Sequence, residues 1–136
     1  MISFNYETDF KLNNEAQISK WISEVIKSEG CTEDTIDYVF CNDEYLHKLN
    51  VEFLNHDTLT DIISFDYSVG KTIQGDIFIS TERVTENAKD FEVNFDDELH
   101  RVMVHGVLHY CGYKDKNDID KKEMREKENH YLQLIA

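Results

Sequence analysis

At 136 residues the chain is long enough for one domain, residues 1–136, that buries roughly two thirds of its unfolded surface and needs no disulfide for a core. Its 14 Lys and Arg against 28 Asp and Glu leave a formal net charge of −14, which excludes a broad nucleic-acid-binding face, because phosphate contacts come from Lys and Arg, and permits only a local one. No apolar run approaches the ~18 residues of a membrane span, and Met1 to Tyr6 lacks the basic and apolar regions of a secretory signal, so the expected location is the cytoplasm, away from membranes.

Ile2, Phe4 and Tyr6 alternate with polar residues and predict a first strand. A helix is expected from Asn13 or Asn14, both good N-caps, burying Ile18, Trp21, Ile22, Val25 and Ile26 before Gly30. Ile36 to Cys41 predicts a buried strand. Asn42 is placed to cap a second helix whose Leu46, Leu49 and Phe53 mark one buried side. After the polar stretch Asn55 to Thr60, Asp61 to Asp66 reads as a third strand, and a turn at Gly70 leads to a fourth over Gly75 to Ser80. Ser80 then caps a helix expected to bury Val84, Ala88 and Phe91. A central helix follows from about Asn94 to Cys111, packed through Leu99, Val102, Met103, Gly106, Val107 and Tyr110. The last helix is expected over Asp118 to Leu134, with Met124, Tyr131, Leu132 and Ile135 toward the core. Four strands and five helices in mixed order predict an α+β domain, a small mixed sheet packed with helices and a metal-bearing, zincin-like helix at its centre.

The chemistry is concentrated on that central helix. His105 and His109 are four residues apart, so their side chains share one helix face about 5–6 Å apart at Cβ and both reach one ion. Gly112 is able to take positive φ and turn the chain back, and Asp115 follows as a third donor. The offsets +4, +7 and +10 from His105 match the His, Gly and third-ligand places of the long metzincin pattern, with Asp where that pattern has His. Three protein ligands leave a fourth zinc position for water, as in catalytic sites. The residue after the first histidine, the general base of His-Glu-x-x-His proteases, is here Gly106, which argues against a glutamate-dependent peptidase. Asp115 lowers the charge of the bare zinc site from +2 to about +1, which weakens its pull on a bound water, and it admits other divalent transition ions such as manganese beside zinc. Cys111 lies about 200° around the helix from His109, a core position rather than a ligand, and with Cys31 and Cys41 it forms an odd, scattered set without CxxC spacing, read as reduced thiols.

Taken together, three segments resemble the YbeY family of bacterial endoribonucleases and rRNA maturation factors over nearly the whole chain. They are Leu49-Asn50 through Thr60-Asp61-Ile62-Ile63-Ser64-Phe65, Gly75-Asp76-Ile77, and His105 to Asp115, the last similar to the family's HGxLHxxGYDH. The resemblance implies a single-strand-specific endoribonuclease acting in 16S rRNA 3′-end maturation and ribosome quality control, with zinc as the usual ion. It carries His105, His109 and Asp115 over as metal ligands, Asp115 standing where the family commonly has His. Where the family usually has an arginine after an aromatic, a natural phosphate clamp or transition-state stabiliser, this chain has Phe53-Leu54, and another cation could substitute.

Arg101, one turn before His105, is the first candidate and Lys114 the second. Ser64, with Thr60, is a candidate hydrogen-bonding group toward substrate, and His56 a loop histidine without an assigned role. The expected partners are single-stranded rRNA and the small ribosomal subunit or a basic ribosomal protein. Two other readings compete: a metallo-hydrolase of peptides or small molecules, and a non-enzymatic ribosome assembly factor whose metal holds the fold.

Overall fold

The computed structural model describes residues 1–56 and 59–135. Asp57 and Thr58, within the polar stretch expected after the second helix, lie outside the described residues. The elements are β1 (Ile2–Tyr6), α1 (Glu15–Ser28), β2 (Thr32–Cys41), α2 (Asp43–Leu54), β3 (Ile62–Asp66), β4 (Thr72–Ser80), α3 (Thr81–Asp90), α4 (Phe95–Tyr110) and α5 (Asp118–Leu132). The strands form one sheet in the order β1-β2-β4-β3, in which β1, β2 and β4 run parallel and β3 is antiparallel to β4. The fold is therefore α+β with a mixed four-stranded sheet, as expected.

Alternation along the strands sends two sets of side chains to opposite faces. Ile36, Tyr38 and Phe40 of β2 join Ile73, Ile77 and Ile79 of β4 in the main core, under α1 and α4, with Met124 and Tyr131 of α5 closing its outer side. Ile63, Phe65 and Phe78 face the other way, against Leu46 and Leu49 of α2, in a smaller cluster. Buried polar tips find partners: the Tyr38 hydroxyl donates to the Met103 carbonyl at 2.9 Å, and the Trp21 indole N–H donates to the Tyr131 carbonyl at 2.9 Å. Four helices begin on side-chain caps that satisfy an otherwise orphaned N–H. Asn42, Ser80, Asn94 and Asn117 accept from Tyr45, Arg83, Asp97 and Asp120.

Two apolar positions expected in the core are exposed. Phe53 is 63% and Phe91 60% exposed; Phe53 sits in the last turn of α2 and Phe91 at the C-cap of α3. Phe53 packs edge-on to Phe65, ring centres 6.0 Å apart. The strands β2 and β4 also begin earlier than their apolar runs. Polar Thr32 and Glu33 pair with Thr72 and Ile73, and the register shifts before Ile36, so in β2 the backbone pairing extends where no hydrophobic signal marks it.

Glycine is required at Gly75, where an added Cβ would strike the Tyr110 hydroxyl and the Phe65 carbonyl. That space lets Tyr110 reach across to the carbonyls of Phe65 and Asp76 at 3.1 and 3.0 Å, fastening α4 to the β3–β4 pair. No helix among the described residues is long and apolar enough to cross a membrane.

Candidate metal centre

The site is built at the C-terminal end of α4. Gly112, at φ +108°, takes the left-handed position, and the chain closes with Tyr113 N–H to Leu108 carbonyl and Gly112 N–H to His109 carbonyl, both 3.0 Å. These are the paired hydrogen bonds of a Schellman motif. The reversal turns the Tyr113 carbonyl back onto His109 Nδ1, at 2.9 Å, and returns Asp115 to the helix face. Asp115 Oδ2 then lies 3.5 Å from His105 Nε2 and 3.4 Å from His109 Nε2, while the two Nε2 atoms are 3.0 Å apart. All the ligand atoms of His105, His109 and Asp115 fall within 4.8 Å of one another.

The donor set fits a metal ion on chemical grounds. His109 Nδ1 faces a carbonyl, which only accepts, so that nitrogen carries the proton and Nε2 keeps its lone pair. His105 Nδ1 faces Glu128 Oε2 at 2.7 Å, which fixes the same tautomer in the neutral ring. Two lone pairs and a carboxylate oxygen thus converge with no N–H among them, an arrangement that calls for a cation. Burial lowers the His105 pKa, but the hydrogen bond and charge of Glu128, with Asp115 and Asp61, outweigh it and leave it raised.

Glu128 is the residue that the sequence reading missed. It is 4% exposed and receives Arg101 Nη1 at 2.9 Å besides His105. Burial raises its carboxyl, but the hydrogen bonds from His105 and Arg101 prevail and hold it below the usual glutamate value, ionised at neutral pH. The available signal was its place on the buried stripe of α5, four residues after Met124 and three before Tyr131. A charged residue inside an apolar stripe needs a buried partner.

The other candidates separate. Arg101 lines a cavity of about 430 Å³ beside the cluster, with His105, Asp115, Lys121, Arg125 and Glu128 on its walls. Its guanidinium is tied down by Glu128 and, at 2.9 Å, by Asn129. Ser64 is not brought to that cavity. It lies mid-strand on β3, opposite Ile77, with its hydroxyl at the Tyr110 phenol. Thr60 donates to the carbonyl of Ile62 at 3.3 Å, a local backbone bond. Lys114 and His56 are exposed, and neither is among the cavity walls. Cys111 packs against the main core. Gly106 lies on the sheet side of α4, where an added Cβ would be 3.1 Å from both Ile62 Cδ1 and Ile77 Cδ1, so helix–sheet packing occupies the place where the zinc proteases carry their glutamate.

The turn is anchored from below by Glu29. Its carboxylate accepts from Tyr113 Oη at 2.6 Å and from Tyr131 Oη, and lies 3.6 Å from Lys127 Nζ. Burial raises the Glu29 pKa, but the two phenols and the lysine outweigh it and hold it below the ordinary 4.5. As pH falls below 4.5 the unfolded chain takes up this proton before the folded one does, so the contribution is complete above that value and is lost as pH falls through the folded pKa. Urea unfolding of the metal-free protein at stepped pH is expected to show Glu29→Gln less stable than the parent by about 1–2 kcal/mol at pH 7, with the gap closing in acid. A pH-independent gap would refute this origin.

Comparison with known proteins gives a consistent picture. The sequence profile of the family described as Endoribonuclease YbeY matches residues 2–136. A Flavobacterium johnsoniae protein named Endoribonuclease YbeY is 63% identical over 135 residues, covering 99% of this chain and 97% of that protein. Its namesake from Flavobacterium psychrophilum is 60% identical over 135 residues, covering 99% and 96%. Among solved structures, the solution structure of TM1509 from Thermotoga maritima superposes with a TM-score of 0.74 at 28% identity, over 99% of this chain and 89% of that one.

Proposed function

This chain belongs to the YbeY endoribonuclease family, and from that premise we propose that residues 1–136 act as one metal-dependent, single-strand-specific endoribonuclease domain in the cytoplasm, serving 16S rRNA 3′-end maturation and ribosome quality control. The observation that carries the reading is the convergence of two lone-pair Nε2 atoms and one carboxylate oxygen at the end of α4. His105, His109 and Asp115 would hold the ion, with zinc favoured by the two imidazoles and manganese admitted by the carboxylate. Bound there, the ion supplies Lewis-acid activation of a phosphoryl oxygen and of water.

The chain's own residues do the rest. Glu128 and the Tyr113 carbonyl keep both imidazoles turned toward the cluster. Arg101, Lys121 and Arg125 give the cavity wall a local positive side on an otherwise acidic protein, and are positioned to take phosphate where the family arginine is replaced by Leu54. Single-stranded rRNA on the small ribosomal subunit, with a basic ribosomal protein as a charge-complementary neighbour, is the proposed substrate context.

The structural-metal reading is disfavoured by the hydrogen bonds that already define the turn. The Schellman closure and the Tyr113 to Glu29 bond fix residues 111–113 through protein groups. Gly106, packed on the sheet, counts against the peptidase reading. The deciding experiment compares chelator-stripped protein with protein reloaded with zinc or manganese, on labelled single-stranded and duplex RNA. Stripped protein is expected to stay folded by circular dichroism and cut nothing, and reloaded protein to cut the single strand only. No cleavage on reloading, together with unfolding on stripping, would overturn the proposal in favour of a structural metal.

A further inference from the structure

The cavity beside the metal cluster contains a group that the metal chemistry leaves unused. Glu98 lies two helical turns before His105 on α4, about 10 Å along the same face, and lines the cavity. It is 5% exposed, yet among the described residues no hydrogen bond or ion pair reaches its carboxyl. Burying such a group unpartnered is costly. A second carboxyl, Asp61, lines the same space and accepts from the Asn87 amide, at 3.4 Å, and from its own backbone N–H. Burial raises both carboxyls, and at Glu98 the charge of Asp61 adds to the effect while the charges of Arg101 and Arg125 oppose it. Ile62, Val102 and Met124 supply apolar wall between these carboxyls and the charged groups of the metal cluster, and the ring of Phe91, 60% exposed, also lines the space. A volume of about 430 Å³ falls within the ~300–1,000 Å³ range of small-molecule pockets.

We propose that this cavity receives a nucleobase of the RNA strand, splayed out beside the cleaved phosphodiester and stacked against Phe91, and that Glu98 and Asp61 select guanine by accepting from its N1–H and N2–H groups. The inference rests on the endoribonuclease reading above and adds a base preference to it. Guanine alone presents two adjacent N–H donors on its Watson–Crick edge, a match for carboxylate oxygens. Uracil flanks a single N–H with two carbonyl oxygens, which would face the carboxyls oxygen to oxygen. Adenine and cytosine each offer one amino group next to a ring acceptor. Splayed bases stacked on an aromatic ring and read along this edge are the common mode of single-stranded RNA recognition.

The test uses the metal-loaded full chain and labelled oligouridylates carrying one central guanine, inosine, adenine, cytosine or uracil. Cleavage beside guanine is expected to exceed that beside uracil by about 10–100-fold in kcat/KM, the usual scale of discrimination by a good bidentate contact. Inosine, which lacks the N2 amino group, is expected to lose much of the advantage. E98Q and D61N, which keep shape and remove charge, are each expected to bring the guanine-to-uracil ratio toward one. Independently of any variant, guanosine 5′-monophosphate is expected to bind the parent protein and shift the amide resonances of Glu98 and Val102, while uridine 5′-monophosphate is not. Equal cleavage of all five oligonucleotides, an unchanged ratio in E98Q, or equal binding of the two nucleotides would overturn the base pocket and leave the nuclease standing. Cleavage of none of them would remove the nuclease reading and this inference together.

Discussion

Replacing His109 with alanine is expected to abolish metal retention and RNA cleavage together. The substitution removes one of three convergent donors, and the two that remain, His105 Nε2 and Asp115 Oδ2, sit 3.5 Å apart with nothing to complete the set. Outer partners of metal ligands are typically worth about 10–100-fold in affinity, so a ligand itself should cost more than about 100-fold. The fold should survive. His109 is only partly buried, and its one structural bond, to the Tyr113 carbonyl, is backed by the backbone closure of the turn. Elemental analysis after gel filtration, beside a single-stranded RNA cleavage assay and a thermal melt within a few degrees of the parent, checks all three parts. Full cleavage by a metal-free His109→Ala protein would eliminate the proposed chemistry.

Glu128→Gln tests the support behind the ligands. The glutamine keeps the volume and an acceptor oxygen but removes the charge that holds Arg101 and the His105 Nδ1 proton. Metal affinity is expected to fall about 10–100-fold, and stability by about 2 kcal/mol, because the buried carboxylate position loses the charge that partners the half-buried Arg101 guanidinium. In the metal-free protein the His105 pKa, raised mainly through Glu128 against the lowering effect of burial, should move down. A histidine with a raised folded pKa contributes stability below its unfolded value and loses it as pH rises through the folded one. The parent should therefore lose stability across that interval when metal-free, and Glu128→Gln should lose less. Competition against a chromogenic chelator measures the affinity, and a proton-resonance titration of His105 measures the shift. Unchanged affinity would mean that the tautomer is fixed by other means.

These two residues also mark what was legible in the chain and what was not. His105, His109, Gly112 and Asp115 act within eleven consecutive residues, where helical spacing and a glycine cap translate directly into geometry. Strand alternation and the caps at Asn42, Ser80 and Asn94 were readable for the same reason, since both are local, whereas Asn14 precedes α1 without a side-chain cap bond. Glu128 reaches His105 across 23 positions, and the cavity joins Asp61 to Glu98 from different elements, so only the packing of α5 and β3 around α4 reveals them. Phe53 and Phe91 failed in the opposite sense. Their helical spacing matched the buried side, but both lie at the last turn or cap of a helix, where they are left exposed. Ser64 was assigned to substrate for its polarity, while its strand register hands the hydroxyl to Tyr110.

The reversal at Gly112 makes chain length itself a component of the metal cluster. Between His109 and Asp115 each peptide unit has an assigned duty, as helix terminus, left-handed pivot, carbonyl prop for the imidazole, or spacer. One codon gained or lost in that interval would swing the carboxylate to the wrong side, however well every side chain were preserved. The tight bend at Val69–Gly70, which joins two antiparallel strands away from the cluster, carries no such ruler. Homologous sequences should therefore vary in length at the bend and hold it fixed after the helix.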